Sequence, residues 1–164
     1  MNTCHLAQVN VAHMMYGPDD ERMKGFYGAL DKVNALADRA DGFVWRLQDD
    51  QGDATAFRFA GAGADDLLIN MSVWENIDAL RRYIYQSVHA KVMARREQWF
   101  APMSAPHLAL WWIPAGTLPT LQDAQKALNA LEQEGPTARA FTFDALYDAS
   151  GKAITLPPIE ALCA

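Results

Sequence analysis

Hydrophobic and polar residues follow a two-residue period in some stretches of the chain and a helical period between them. A two-residue period is typical of half-buried β-strands, and apolar residues every three or four positions are typical of amphipathic helices. Strands are predicted over residues 5–12, 43–48, 67–74 and 107–114. Helices are predicted over residues 20–40, with Asp20 as N-cap, and over residues 75–100. The element order is therefore β-α-β-β-α-β.

Further elements flank this unit. Residues 118–136 predict a helix with Thr120 as N-cap, Asp123 three residues later as a weak capping box, and Gly135 just past its end. Residues 140–148 predict a last strand, and the Gly- and Asp-rich residues 49–66 predict a loop with a short strand at 56–59. Together the elements predict one α+β domain over residues 1–164, a ferredoxin-like antiparallel sheet with helices on one face.

The two faces of the predicted sheet differ in chemistry. One face is apolar and is expected to pack under the helices: Val9, Val11, Val44, Ile69, Met71 and Val73. The other mixes amides, one arginine and an indole: Gln8, Asn10, Arg46, Gln48, Asn70, Ser72 and Trp74. In the second strand Phe43, Trp45 and Leu47 equally fit the core. The mixed face fits open solvent, a dimer interface or a lined cavity, and its chemistry favours the cavity.

Tryptophans and one histidine add candidate site residues. Trp111 and Trp112 point to opposite faces, so one of them is expected on the mixed face. On the helix over residues 75–100, His89 lies about 140° from Ile84 and in line with Tyr85 and Arg96. Exposed, His89 would be an ordinary surface residue. Facing a pocket, its imidazole is suited to ligating iron or haem, and Arg96 to binding a carboxylate.

Composition narrows the partners and the compartment. Of 164 residues 51% are hydrophobic and 21% charged, and the net charge of −6 with a pI near 5.1 argues against nucleic acid as a partner. Cys4 and Cys163 form no metal-binding motif, which favours free thiols in a reducing compartment over a disulfide between the termini. With neither a signal-peptide pattern nor a bilayer-spanning run, we expect a cytoplasmic protein without a membrane partner.

Five segments of the sequence resemble a known family. "LAQVNVA", "LDKVNALADRADGFVWRLQ", "MSVWENIDALRRYIYQSVHAKVMARREQWF", "LALWWIPAG" and "GPTARAFTF" resemble the bacterial family called domain of unknown function 3291. That family looks like the dimeric α/β-barrel superfamily, in which two ferredoxin-like domains pack sheet to sheet. The resemblance therefore implies a homodimer with a small-molecule substrate.

A more distant resemblance concerns the segment around His89, which is similar to part of the spheroidene monooxygenases, haem-containing carotenoid oxygenases. The resemblance implies haem with His89 as the axial, iron-binding ligand. The neighbours of the haem that the resemblance implies are Ser72, Trp74, Trp99 and Phe100. Tyr85 and Arg96, from the helical flank of His89, and Trp111, from the mixed face, complete the candidate cofactor-binding residues. Arg46, Asn70 and Asn10 are the candidate catalytic residues, which would orient bound oxygen or substrate.

Three functions remain open from the sequence. The first is a haem-dependent monooxygenase or dehydratase acting on a small, largely apolar or aromatic molecule. The second is a cofactor-free enzyme resembling the antibiotic-biosynthesis monooxygenases, in which Asn10, Arg46 and Trp74 position an aromatic substrate. The third is a small-molecule binding or dimerisation module without catalysis. The other histidines, His5, His13 and His107, give no metal-binding pattern by spacing.

Overall fold

The computed structural model of the chain describes residues 3–59, 67–85 and 87–158, and for residues 87–89 the backbone alone. Its strands are β1 (Cys4–Met14), β2 (Phe43–Arg46), β3 (Leu67–Trp74), β4 (Phe100–Ala101), β5 (Leu108–Pro114), β6 (Leu146–Tyr147) and β7 (Ala153–Ile154). Its helices are α1 (Lys24–Asp38), α2 (Ile77–Tyr85), α3 (Ser87–Ala94) and α4 (Leu121–Glu134). Apart from the short strands β4, β6 and β7, the order of the main elements is the predicted one.

The main sheet has the strand order β2-β3-β1-β5, and every neighbouring pair is antiparallel. The short strand β4 pairs with the end of β1. In this register Gln8 on β1 lies opposite Ser72 on β3, and Asn10 lies opposite Asn70. This topology confirms the α+β, ferredoxin-like fold, with β1 and β3 at the centre of the sheet.

The helices of the β-α-β-β-α-β unit lie on one face of the sheet, but not on the predicted one. Ala37 of α1 and Leu80 of α2 share a buried cluster with Leu6 and Trp74, which belong to the mixed face. The apolar set around Val9 is covered by α4, through Ala124, Ala127 and Leu131. The expectation that α1 and α2 cover the apolar set is therefore wrong. Helices therefore cover both faces of the sheet. α1 and α2 cover the mixed face, and the added helix α4 shields the apolar face from water.

A β-bulge decides the faces of β2. Phe43 pairs with Trp74 and Trp45 pairs with Val73, with a register shift between them. The shift places Phe43 beside Trp74, Trp45 with the apolar set, and Val44 at 37% exposure. Placing Val44 in the core was wrong, since the bulge breaks the strict alternation on which that prediction relied.

The predicted helix over residues 75–100 ends earlier than expected. Helix α3 ends at Ala94, and a short 3-10 turn follows over Arg96–Gln98. The turn brings Trp99 into the core at 1% exposure, where its carbonyl accepts a hydrogen bond from the Met15 N–H at 2.8 Å. Burial of a large indole outweighs the helical pattern here.

Of the other local predictions, some are confirmed and some are wrong. Helix α4 has the predicted capping box between Thr120 and Asp123, and Gly135 ends it with a φ of 71°. Residues 56–59 do not form a strand, and residues 140–148 form only isolated bridges and the short β6.

Two further predictions concern the membrane and the cysteines. Among the described residues, no helix combines the length and hydropathy needed to cross a bilayer. Cys4 is a half-buried free thiol, and Cys163 lies outside the described residues.

The connection between α1 and β2 depends on one glycine. Gly42 has a φ of 80°, and a Cβ added there would lie 2.6 Å from the Cβ of Ala79 in α2. We expect Gly42→Ala to lower the free energy of unfolding by about 3 kcal/mol, because strain and overpacking add. Gly116→Ala is the control, since Gly116 has a φ of 86° but no atom within 4 Å of the added Cβ. Equal losses in urea unfolding would show that the contact with Ala79 does not matter.

Candidate functional site

A cavity of about 320 Å³ lies between the mixed face of the sheet and helices α1, α2 and α3. Its floor consists of strand residues, namely Gln8, Asn10, Ala12, Arg46, Leu68, Asn70 and Leu108. Its roof consists of helix residues, among them Phe26, Leu30, Val33, Asn34, Leu80, Tyr83, Ile84, Val92 and Met93. The cavity is thus polar below and largely apolar above, as small-molecule sites often are.

A hydrogen-bonded network organises the polar floor. The Gln8 Nε2 amide donates to Asn70 Oδ1 at 2.8 Å and to Ser72 Oγ at 2.9 Å. Ser72 Oγ also accepts from the Trp74 Nε1–H at 2.8 Å. Ser72 and Trp74 are buried at 7% and 0% exposure and anchor the network beyond one end of the floor, on the same sheet face. The network holds the amides of Gln8 and Asn70 in fixed positions beside the cavity.

Several amide groups of the cavity keep unused hydrogen-bonding capacity. Within the described residues, one end of the Gln8 amide and one end of the Asn70 amide have no protein partner. The Asn10 and Asn34 amides likewise make no hydrogen bond to the described side chains or backbone, although Asn34 is only 8% exposed. The unpaired amide atoms are not among the fully buried atoms of the described residues, so water or a polar group of a ligand can reach them from the cavity.

Arg46 borders the floor with a fixed guanidinium. Its Nε donates to Asp38 Oδ1 at 2.8 Å, and its Nη1 donates to the Gly52 carbonyl at 2.7 Å. The Arg46 side chain is 11% exposed, and the Asp38 carboxylate offsets its charge. A guanidinium has five N–H donors, so some remain for a ligand.

Aromatic side chains close the two ends of the cavity. At one end Tyr83 stacks on Trp74, with 4.9 Å between ring centroids, and donates a hydrogen bond to the Val33 carbonyl. Burial raises the pKa of Tyr83 well above its ordinary value of 10, so the phenol stays neutral. At the other end Phe26 meets Phe100 edge to face at 5.1 Å.

The rim of the cavity carries Arg96 and His107. Partial burial lowers the pKa of His107 below its ordinary value of 6.5, and the positive charge of Arg96 lowers it further. His107 is therefore a neutral imidazole at pH 7, able to accept a proton.

The structure brings together some predicted site residues and separates others. Asn10, Arg46, Asn70, Arg96 and Phe100 line the cavity. The side chain of His89 lies outside the described residues. The remaining predicted residues do not line the cavity: Ser72 and Trp74 lie beyond one end of its floor, Trp99 in the core beside Phe26, Trp111 on the apolar face and Tyr85 at 58% exposure. Trp111 pairs with Ala7, and strand alternation turns it away from the floor.

Several lining residues were not predicted, among them Asn34, Tyr83 and His107. Asn34 and Tyr83 lie on helices, among apolar residues of α1 and α2, and Asn34 breaks an otherwise apolar stripe. That break was a signal, since an amide on a core-facing stripe needs a partner. His107 was treated as the start of a strand. Its position at the rim depends on the pairing of β5 with β1.

Among the described residues, no three His, Cys, Asp or Glu side chains cluster in a way that could hold a metal ion. The polar groups that line the cavity are amides, arginines, a phenol and an imidazole. This set is suited to hydrogen bonding and to proton transfer.

Comparison with known proteins identifies the family. A family model described as Domain of unknown function (DUF3291) matches residues 5–156. No curated protein matches the chain significantly. Among solved structures, the chain is similar to SnoaB, a cofactor-independent oxygenase from Streptomyces nogalater, at 19% identity and a TM-score of 0.42, covering 71% of this chain and 98% of SnoaB. A conserved protein from Methanosarcina mazei is similar at 9% identity and a TM-score of 0.46, covering 69% and 94%. The solved structures add no argument about function.

The effect of Arg96 on the pKa of His107 can be tested by titration. We expect Arg96→Gln to raise the pKa of His107 towards 6.5, because removing a nearby positive charge favours the imidazolium. Proton NMR of the His107 ring, assigned with His107→Asn, measures this pKa. Arg95→Gln is the control, since Arg95 lies over the ring of Trp99 and does not line the cavity. An unchanged His107 pKa in Arg96→Gln would contradict the placement of the two side chains.

Proposed function

The chain belongs to the DUF3291 family, and we propose that it binds a small, largely apolar or aromatic molecule in the cavity and acts on it as a cofactor-free monooxygenase-like enzyme. The observation that carries the proposal is the free hydrogen-bonding capacity of the Gln8, Asn34 and Asn70 amides beside a largely apolar cavity roof. Such a surface favours a ligand with an apolar body and a few oxygen atoms.

The chemistry of the cavity wall supports a ligand with both polar and apolar parts. The unpaired amide ends are open to the cavity, where polar groups of a ligand can replace the water that hydrates them. An oxygen-bearing ring system would pair with the floor amides while its carbon skeleton contacts Leu30, Val33 and Leu80 on the roof. The volume of about 320 Å³ lies at the lower end of the range of small-molecule sites, roughly 300–1,000 Å³. It suits a molecule of two or three fused rings.

The side chains that line the cavity include a base and several hydrogen-bond donors, which a proton-transfer reaction requires. His107, as a neutral imidazole, would accept a proton from an acidic C–H or O–H of the substrate. The floor amides of Asn10 and Asn70, and the remaining N–H donors of Arg46, would hold the oxygen atoms that gain negative charge. In the proposed reaction an activated methylene becomes a carbonyl. One atom of O2 enters the product, the other leaves as water, and the substrate supplies the electrons.

Assembly and location belong to the same proposal. The apolar face carries Trp45, Leu47 and Met103, which are only partly buried in one copy of the chain. A second copy packed there would cover them, as the resemblance to the dimeric α/β-barrel superfamily implies. A cytoplasmic location stays a prediction from the sequence.

Oxygen consumption tests the proposed activity. With 1,8-dihydroxyanthrone as substrate, we expect chelator-treated, haem-free protein to consume O2 faster than the uncatalysed reaction. Asn70→Leu should lower kcat/KM about tenfold, since the loss of one hydrogen bond in a buried site is worth roughly 1.4 kcal/mol. Gln122→Leu, an exposed amide on α4, is the matched control. Binding without turnover, followed by tryptophan fluorescence, would instead support a non-catalytic binding protein.

Haem binding through His89 is the second function retained from the sequence. Arg96 and Phe100 line the cavity as that prediction requires. The other five described residues predicted to surround haem, Ser72, Trp74, Tyr85, Trp99 and Trp111, do not line it. The described residues therefore do not form one surface for a porphyrin, and the cofactor-free proposal fits them better.

A haemin titration separates these two functions. We expect no saturable Soret band with the wild-type protein, and the same spectra with His89→Ala. The control is His107→Ala, which removes an imidazole at the rim. A saturable band that disappears in His89→Ala and persists in His107→Ala would establish haem binding and overturn the cofactor-free proposal.

A further inference from the structure

The charged side chains among the described residues that line the cavity are basic, although the protein as a whole is acidic. The protein has 20 acidic and 14 basic residues and a net charge of −6. Yet the described residues that line the cavity include two arginines and one histidine, and no aspartate, glutamate or lysine. A cavity with cationic groups in an acidic protein attracts anionic ligands over neutral ones.

The two arginines differ in the charge that they leave for a ligand. Arg46 is paired with Asp38, at 2.8 Å between Nε and Oδ1, so its charge is largely offset. The Arg96 side chain makes no hydrogen bond and no ion pair within the described part of the chain, although the residue is half-buried and lines the cavity. The uncompensated positive charge of the site is therefore at Arg96.

The strand order shows where His107, which is near Arg96, lies relative to the amides. Asn70 and Asn10 are on the central strands β3 and β1, and Arg46 is on the edge strand β2. His107 directly precedes β5, the strand on the opposite side of β1, and Leu108 pairs with Asn10. Neighbouring strands are about 4.8 Å apart, so the distance from β2 to β5 is roughly 14 Å. The amides of Asn10 and Asn70 therefore lie between Arg46, whose charge Asp38 offsets, and the side of the cavity that carries His107 and Arg96.

We propose that the ligand of this cavity is an aromatic monoanion, with its neutral ring over the amides of Asn10 and Asn70 and its carboxylate, or a similar oxyanion, bound by Arg96 at the rim. This inference rests on the proposed function, because it concerns the molecule bound in the same cavity. A guanidinium pairs with a carboxylate through two parallel hydrogen bonds, which fixes the orientation of the ligand as well as its charge. Arg96 is thus the residue that determines specificity for charge.

Two probes with the same ring test the inference. 2-Naphthoate carries a carboxylate, and 2-naphthamide carries a neutral amide of similar shape. By isothermal titration at low salt, we expect wild-type protein to bind naphthoate about tenfold more tightly than naphthamide. Arg96→Gln should remove this preference by weakening naphthoate alone, and Arg96→Lys should keep part of it.

Arg95→Gln is the matched control, since it makes the same change in net charge one residue away from Arg96. It should leave both affinities within about twofold, because Arg95 does not line the cavity. Equal affinities for the two probes in wild-type protein, or an equal loss in Arg95→Gln and Arg96→Gln, would overturn the inference and leave neutral ligand binding intact. If neither probe bound, the proposed binding function would fall together with it.

Discussion

The hydrogen bonds that join Gln8, Asn70, Ser72 and Trp74 are the interactions on which the rest of the site depends. Without them, two helices could not cover a sheet face that carries amides and a hydroxyl, because each buried polar group without a partner costs roughly 1–3 kcal/mol. The Trp74 indole N–H and the Gln8 amide both bond to the same Ser72 oxygen, at 2.8 and 2.9 Å. The face can therefore be buried and still present polar groups to a ligand.

The cavity exists because the helices rest on two separate groups of aromatic and aliphatic side chains. Leu6, Trp74 and Tyr83 pack at one end, and Phe26 and Trp99 pack at the other. Between these clusters the floor includes the amides of Gln8, Asn10 and Asn70 and the small side chain of Ala12, which do not fill the space beneath α1 as large apolar side chains would. Helix α4 covers the apolar face of the sheet, so the protein has a core there that does not depend on the cavity.

Charge and proton transfer are arranged around the same floor. Asp38 offsets the charge of Arg46 at one side, while Arg96 and His107 share the other side. Partial burial and, to a smaller extent, the proximity of Arg96 lower the pKa of His107, and the same arginine is available to an anionic group. Substrate orientation and the availability of a base are thus linked through one side chain.

The sequence alone determined the four main strands, the helices α1 and α4, the β-α-β-β-α-β order and the polar residues of one sheet face, since alternation and helical spacing are local properties of the chain. Asn10, Arg46 and Asn70 could be chosen for that reason. Only the tertiary structure decided which face α1 and α2 cover, because a period of two gives two faces and not their partners. It also decided that burial of Trp99 ends the helical segment, that Trp111 faces away from the cavity, and that Asn34 and His107 meet the floor. Those outcomes depend on contacts between residues far apart in the chain, which no local pattern records.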